Sequence, residues 1–244
     1  MGREGRWHPR RLRRAALRAA VGALATWLLL AYVALPAFWR HRLDVPPEGL
    51  VTATPLGIPG DPVNLAFAAS EADLLAAFAA AGWTRADPLS TLSGARIAAD
   101  VLLDRPYPAA PVSTLLLDGR PQDMAFERAA GRSPQRRHHV RLWRRPGDVW
   151  LGAASYDEGV ELSRETLAVT HAVAPDLDAE RDGLERDLRA AGWVAAAERL
   201  PGVDPRSARN GGGDPYDTDG ALVFLTLAPP SGAGPPGAQA PLPP

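Results

Sequence analysis

The chain of 244 residues has no cysteine and no lysine. Without cysteine there is no disulfide framework, no thiolate zinc site and no cysteine nucleophile. Without lysine all 27 basic residues are arginine, so an arginine here reflects the composition of the chain before it signals anion binding. Aromatic residues make up only 7% and the net charge is −1. Glycine and proline are the excess: 23 and 25 residues, about a fifth of the chain against a typical ~12%. Much of it should therefore be loop or linker. The 46% of hydrophobic residues still suffices for a core and excludes disorder of the whole chain.

The near-neutral total hides a division. Residues 1–42 carry nine arginines and one acid, a net of +8, which leaves −9 on residues 43–244. A folded part of that sign argues against nucleic-acid binding, where neutralising phosphates supplies most of the affinity.

Residues 19–39, AAVGALATWLLLAYVALPAFW, hold no charge. As a helix rising 1.5 Å per residue this run spans about 30 Å, the thickness of a hydrocarbon core. Seven arginines precede it and only Arg40 and Arg42 closely follow. That bias predicts a cytoplasmic N-terminus, with everything after residue 42 outside the cytoplasm. The run exceeds the roughly 7–15 apolar residues of a signal peptide, and no small-x-small site follows it, which favours an uncleaved anchor in the cell membrane over a removed leader.

The expected organisation is a basic cytoplasmic leader (1–18), a transmembrane helix (19–39), a stiff Pro/Gly-rich linker (40–60), a folded domain (61–227) and a disordered Pro/Gly-rich tail (228–244). Within the domain, 63–70 reads as a strand running into a helix capped by Ser70 and stopped by Gly82. A second helix over 178–191 has Leu184 and Leu188 as its apolar pair, Asp176 or Asp178 as its cap and Gly192 as its stop. The two helices match at an offset of 110 residues, through Ala80-Ala81-Gly82-Trp83 and Ala190-Ala191-Gly192-Trp193; duplication and chance recurrence in an alanine-rich chain both account for this. A further helix is predicted over 91–103. Strands are expected at 122–128, 136–144, 149–156, 166–174 and 221–227, with Arg145-Pro146-Gly147-Asp148 turning a hairpin. Together these make an α+β domain, a mainly antiparallel sheet with packed helices, preceded by one transmembrane helix.

Three features could carry chemistry. On strand 136–144, alternation puts His138, Val140 and Leu142 on one face and Arg137, His139, Arg141 and Trp143 on the other. The second face reads either as an anion site, with guanidinium forks and a histidine for proton transfer, or as a solvated face balanced by nearby acids. His171 alternates in phase with Val169 and Val173, as a hydrogen-bonded core histidine would. The stretch from Arg209 and Asn210 through Gly211, Gly212 and Gly213 to Asp214 has the backbone freedom to bring N–H groups to an anion. It is neither a phosphate-binding P-loop nor a dinucleotide fingerprint, because no Gly-Lys-Ser/Thr and no helix follow. An EF-hand alignment on Asp217 and Asp219 leaves Pro215 and Thr226 where acids are required, so a surface loop held by its own Asn and Asp side chains is the more economical account. His138, His139 and His171, taken with Asp157 or Asp178, fit no metal-binding spacing. No metal or cofactor is expected. No Gly-x-Ser-x-Gly occurs, so a serine hydrolase has no support.

The stretches DPVNLAF (61–67), AAGWTRADPLS (81–90), RPYPAAPVS (105–113), GRPQDMAFER (119–128), SPQRRHHVRLWR (133–144), LGAASYDEGVELSR (151–164), DAERDGLERDLRAAGW (178–193) and RNGGGDPYDTDG (209–220) resemble, in content and order, the LssY-like C-terminal domain family. That family is named for a component linked to bacterial type I secretion. Its domain is also found attached to membrane proteins, including type 2 phosphatidic acid phosphatase and DedA-like modules. The resemblance implies a bacterial envelope setting and no particular activity, since the phosphatase motifs are missing here and a single anchor stands in place of a multi-span partner.

Three functions remain open on the sequence. The first is an accessory domain outside a bacterial membrane that binds the lipid bilayer, an envelope or membrane protein partner, or an anionic lipid-derived group through Arg137, His139, Arg141, Arg209, Asn210 and the glycine loop. The second is a hydrolase of a phosphorylated or lipid-linked envelope substrate, with His139 or His171 as general base and Asp214 or Asp157 orienting it. Its signature is convergence of those groups in a concave pocket. The third is a structural role in an envelope assembly, marked by an exposed apolar patch.

Overall fold

The computed structural model describes residues 9–40, 50–88, 112–131, 136–163, 166–202, 206–210 and 212–230. The expected helix at 91–103, Gly211 and the tail beyond residue 230 lie outside the described residues. The helical segment begins earlier than the apolar run. It comprises α1 (Pro9–Leu29), one π-helical turn (Leu30–Ala34) and α2 (Leu35–Arg40). The cause of the π turn is Pro36: a proline inside a helix lacks an N–H and its ring meets the carbonyl four residues back, here that of Tyr32. From Arg11 to Arg40 the segment is long and apolar enough to cross a membrane.

The stretch read as linker is folded from Val51 onward. Strands β1 (Val51–Ala53) and β2 (Pro59–Pro62) pair antiparallel. Next come β3 (Leu65–Ala68), α3 (Glu71–Ala80), β4 (Thr84–Arg85), β5 (Leu116–Leu117), β6 (Arg120–Pro121), β7 (Met124–Ala129), β8 (Arg137–Arg145) and β9 (Val149–Leu162). The chain continues through β10 (Val169–Val173), α4 (Leu177–Ala190), β11 (Val194–Pro201), β12 (Arg206–Arg209), β13 (Pro215–Thr218) and β14 (Ala221–Leu227). The main sheet runs β11-β14-β3-β9-β8-β7-β4, with β10 added to the far half of β9. Only the β14–β3 pair is parallel within it. A four-stranded antiparallel sheet, β2-β1-β5-β6, and the β12–β13 hairpin complete the α+β fold.

Local chemistry explains the helices. Ser70 accepts from the Asp73 N–H at 3.1 Å and Asp176 from the Ala179 N–H at 2.8 Å, each satisfying a donor that the first helical turn leaves unpaired. Both helices end on a glycine at positive φ, Gly82 and Gly192. After each one the tryptophan N–H, of Trp83 or Trp193, reaches back to the carbonyl of Phe78 or Leu188. The matching sequences thus build matching C-terminal caps.

The helices cover one face of the main sheet, where Leu65, Phe67, Leu74, Phe78, Phe126, Val140, Leu142, Leu184, Leu188 and Leu225 form the larger core. Gly152 belongs there because a Cβ would come within 3.1–3.3 Å of Leu65, Leu142 and Phe67. On the opposite face Val63, Ala66, Leu115, Leu117, Trp143, Ala153 and Leu222 form a second core. There β5 supplies Leu117 as cover. Phe78 is fully buried and stacks on Phe126 at 4.2 Å. Truncating it with Phe78→Ala should lower unfolding free energy by about 3–5 kcal/mol, read from urea denaturation, whereas Ser70→Ala should cost about 1 kcal/mol.

Candidate functional site

The second face of β8 is not solvated. His139 and Arg141 are both buried, because the small sheet lies over the face they share with Trp143. His138 points the other way, toward the helices, and its Nδ1 lies 2.8 Å from the Glu180 carboxylate of α4.

Register brings the neighbouring strands to the same place. Ser155 of β9 sits opposite His139, and Asp157 opposite Arg137. The His139 Nε2–H donates to Asp157 Oδ2 at 2.8 Å, and His171 Nδ1 of β10 lies 3.0 Å from the same oxygen. One buried carboxylate thus stands between two imidazoles. Asp61, from β2, meets the Arg141 guanidinium at 3.2 Å. Two further Arg141 donors go to the Ser113 carbonyl at 3.0 Å and its hydroxyl at 2.9 Å.

These carboxylates are driven apart. Burial works against the charge of Asp157, but the two histidines outweigh it and hold Asp157 well below the usual carboxylate range. Burial pushes Asp61 up, and the neighbouring Asp157 adds to the rise, against the opposing influence of Arg141, the Ser155 hydroxyl and His139. Two aspartates with opposed tendencies in one pocket are the arrangement that separates an ionised from a protonated acid.

The pocket above them has a volume of about 620 Å³. Asp61, Arg141, Asp157, His171 and Asn210 line its polar side, and Tyr32 from the π turn faces it together with Leu56 and Leu115. Against the alternation-based expectation, the His171 side chain is no core histidine. It is 41% exposed, because β10 pairs only with the part of β9 that projects beyond the main sheet, so its face opens onto the pocket. No group of three or more His, Asp or Glu side chains among the described residues is arranged to hold a metal.

Residues 42–222 match the family model described as the LssY C-terminus. The chain belongs to the LssY C-terminal family. Comparison with curated proteins and with solved structures gave no match.

In this LssY C-terminal domain the other candidate residues have structural partners. Arg137 pairs with the buried Glu127 at 3.0 Å. Arg209 donates to the Gly213 carbonyl at 2.6 Å. The glycine loop turns its N–H groups inward: Gly212 and Asp214 donate to Asn210 Oδ1, and Gly213 to the Asn210 carbonyl. Asp214 in turn accepts from the Val173 N–H at 2.9 Å, which fixes β10 rather than a histidine ring; the ring hydrogen-bonded to Asp157 is that of His139. The loop acids have structural work as well. Asp219 and Asp178 hold the buried Arg181 of α4 at 2.7 and 3.0 Å, and Asp217 accepts from Ser207.

Sequence reasoning missed Asp61, Ser113, Ser155 and Tyr32. Asp61 and Tyr32 lay in stretches read as domain edge and anchor, and no local pattern distinguishes them. The signs of the two carboxylate shifts predict opposite pH effects. Asp157 binds its proton less readily when folded, so its stabilisation is present above the unfolded value of about 3.9 and is lost as pH falls below it. Asp61 binds its proton more readily when folded, so stability declines as pH rises from about 3.9 toward its folded value. In melting curves taken across acid pH, Asp157→Asn should flatten the loss below about pH 4 and Asp61→Asn should flatten the decline above it.

Proposed function

We propose that this chain is a membrane-anchored acid–base hydrolase of a lipid-linked envelope substrate. The observation that supports it is the shared oxygen of Asp157, 2.8 Å from His139 and 3.0 Å from His171, beside an aspartate whose proton is retained more strongly than usual. With Nδ1 directed to Asp157, His171 has Nε2 left to take a proton from water. The ionised Asp157 orients the ring and stabilises the imidazolium that forms. Among the described residues no hydroxyl is hydrogen-bonded to His171, which makes water the nucleophile in this reading. Water adds to the electrophilic centre as its proton passes to His171. Asp61 then gives its proton to the departing oxygen, and proton exchange with solvent resets both groups. Arg141 is hydrogen-bonded to Asp61 and tied to Ser113, so few of its donors are left to face a multiply charged phosphate. A lipid-linked group suits it better.

A recognition domain without chemistry is the second reading, favoured by the mixed polar and apolar lining of the pocket, with Arg137, Arg141 and Arg209 engaged inside the fold rather than offered to a partner. Turnover separates the two. Full-length protein in detergent, offered long-chain 4-methylumbelliferyl esters and alkyl phosphodiesters, should hydrolyse at least one class, and His171→Ala and Asp61→Asn should each lower the rate by about 10²–10⁴-fold. A rate unchanged in both variants rejects the assignment.

The arginine asymmetry around the apolar run supports a cytoplasmic N-terminus and a domain outside the cytoplasm. In intact cells, protease added outside should then cleave beyond residue 43 without lysis; protection until lysis reverses the orientation.

A further inference from the structure

We infer that the face of the domain surrounding the N-terminal helix rests in the lipid, and that the pocket on this face receives its ligand from the bilayer. The inference about the ligand rests on the hydrolase reading, while the lipid contact stands independently of it. Among the described residues outside the helical segment, the large hydrophobic side chains left exposed are Leu56 at 39%, Val160 at 49%, Leu162 at 54% and Leu167 at 42%. They are not scattered. Leu56 is on the β1–β2 turn, where the Arg40 side chain lies so close to Gly57 that a Cβ there would meet it at 2.8 Å. Val160, Leu162 and Leu167 are at the β9–β10 tip, where the Trp27 indole N–H donates to the Leu167 carbonyl at 3.1 Å.

The Trp27 contact falls within the uncharged run and the Arg40 contact just past its end, with Tyr32 of the pocket between them along the helix. Tyr32 lies eight residues before Arg40, about 12 Å along the helix axis, and lines the same cavity as His171 and Leu56. If the run occupies the bilayer, the turn, the tip and the cavity mouth border lipid with it. Backbone entering lipid must satisfy its polar groups internally, and four N–H groups at the tip are paired in this way. Ser163 N–H donates to the Ala168 carbonyl, Leu167 N–H to the Ser163 carbonyl, Thr166 N–H to Ser163 Oγ and Ala168 N–H to Thr166 Oγ1, while Trp27 takes the Leu167 carbonyl. Arg164 and Glu165 lie outside the described residues. The cavity then has acid–base groups on its domain side and apolar groups on its helix side, which fits an amphiphile whose polar end reaches Asp61, Arg141 and His171 while its tail stays among acyl chains.

The absence of cysteine makes the test direct. Nitroxide labels on Leu56→Cys, Leu162→Cys and, as a solvent reference, Ala197→Cys of β11 would be read by collision with oxygen and with a water-soluble nickel complex, using full-length protein in phospholipid nanodiscs. Labels at 56 and 162 should collide preferentially with oxygen and the label at 197 with nickel. Preferential nickel collision at 56 and 162, or shielding from both reagents, overturns the lipid contact. For the ligand, a phospholipid carrying a diazirine within its acyl chain should form adducts on the peptides containing Pro55, Leu56 and Val173. Adducts confined to residues 19–39 overturn entry from the bilayer. Neither readout needs turnover, so lipid contact without hydrolysis rejects the chemistry alone.

Discussion

A carboxylate removed from water must be paired, and the pairing of Asp157 sets the geometry around it. Isolated in a low-dielectric layer, an ionised carboxylate is costly enough that it would take up a proton. Here His139 and His171 come to one of its oxygens from different strands. Satisfying that oxygen requires β8, β9 and β10 to keep their register, and a slip of one residue on any of them would turn the partner to the other face. The demand continues outward: Arg141 shares the layer, Asp61 meets its guanidinium, and Asp61 stays in reach only because β2 is folded over the sheet.

The length of β9 makes this possible. Its first half is enclosed, paired to β3 on one side and β8 on the other, and serves the core. From Asp157 onward β10 takes over as neighbour, so the strand leaves the helix-covered layers as it reaches the carboxylate. The same strand therefore holds Ala153 and Ala154 in the dry interior and Asp157 at the floor of an open cavity. Asp214 braces the outer side of β10, and the N–H groups of Gly212, Gly213 and Asp214 are given to Asn210.

What the sequence revealed follows from how local the determining forces are. The cap of Ser70, the glycine stops and the Gly147 hairpin depend on a few adjacent residues and were legible, while the second cap was legible only as Asp176 or Asp178 and is Asp176. The two faces of β8 were legible as well, since alternation is fixed by the pleat. Which face would be covered was not, because the cover is supplied by β1, β2 and β5, short strands in stretches where proline and glycine suggested linker or loop. His171 was misjudged for a related reason: its phase with two valines was read correctly, but the phase of an edge strand does not say what stands opposite it. Asp61 shows the limit most clearly. Nothing near it in sequence marks a carboxyl that holds its proton more strongly than usual; that tendency arises from burial and from Asp157, 96 positions away, against the opposing pull of Arg141, 80 positions away.

The helix and the site are linked by one residue that neither composition nor hydropathy marks out. An uninterrupted α-helix through residue 36 would place the proline ring against the Tyr32 carbonyl. The π turn relieves that clash by adding a residue to one turn, and in doing so it shifts the side chains that follow relative to those that precede. Ala31 is buried and Tyr32 faces the cavity within this turn, while Trp27, one α-helical turn below, reaches Leu167. A straight apolar helix could anchor the domain at any rotation about its axis. The proline-induced turn fixes one rotation, and with it which strip of the apolar segment becomes a wall of the pocket.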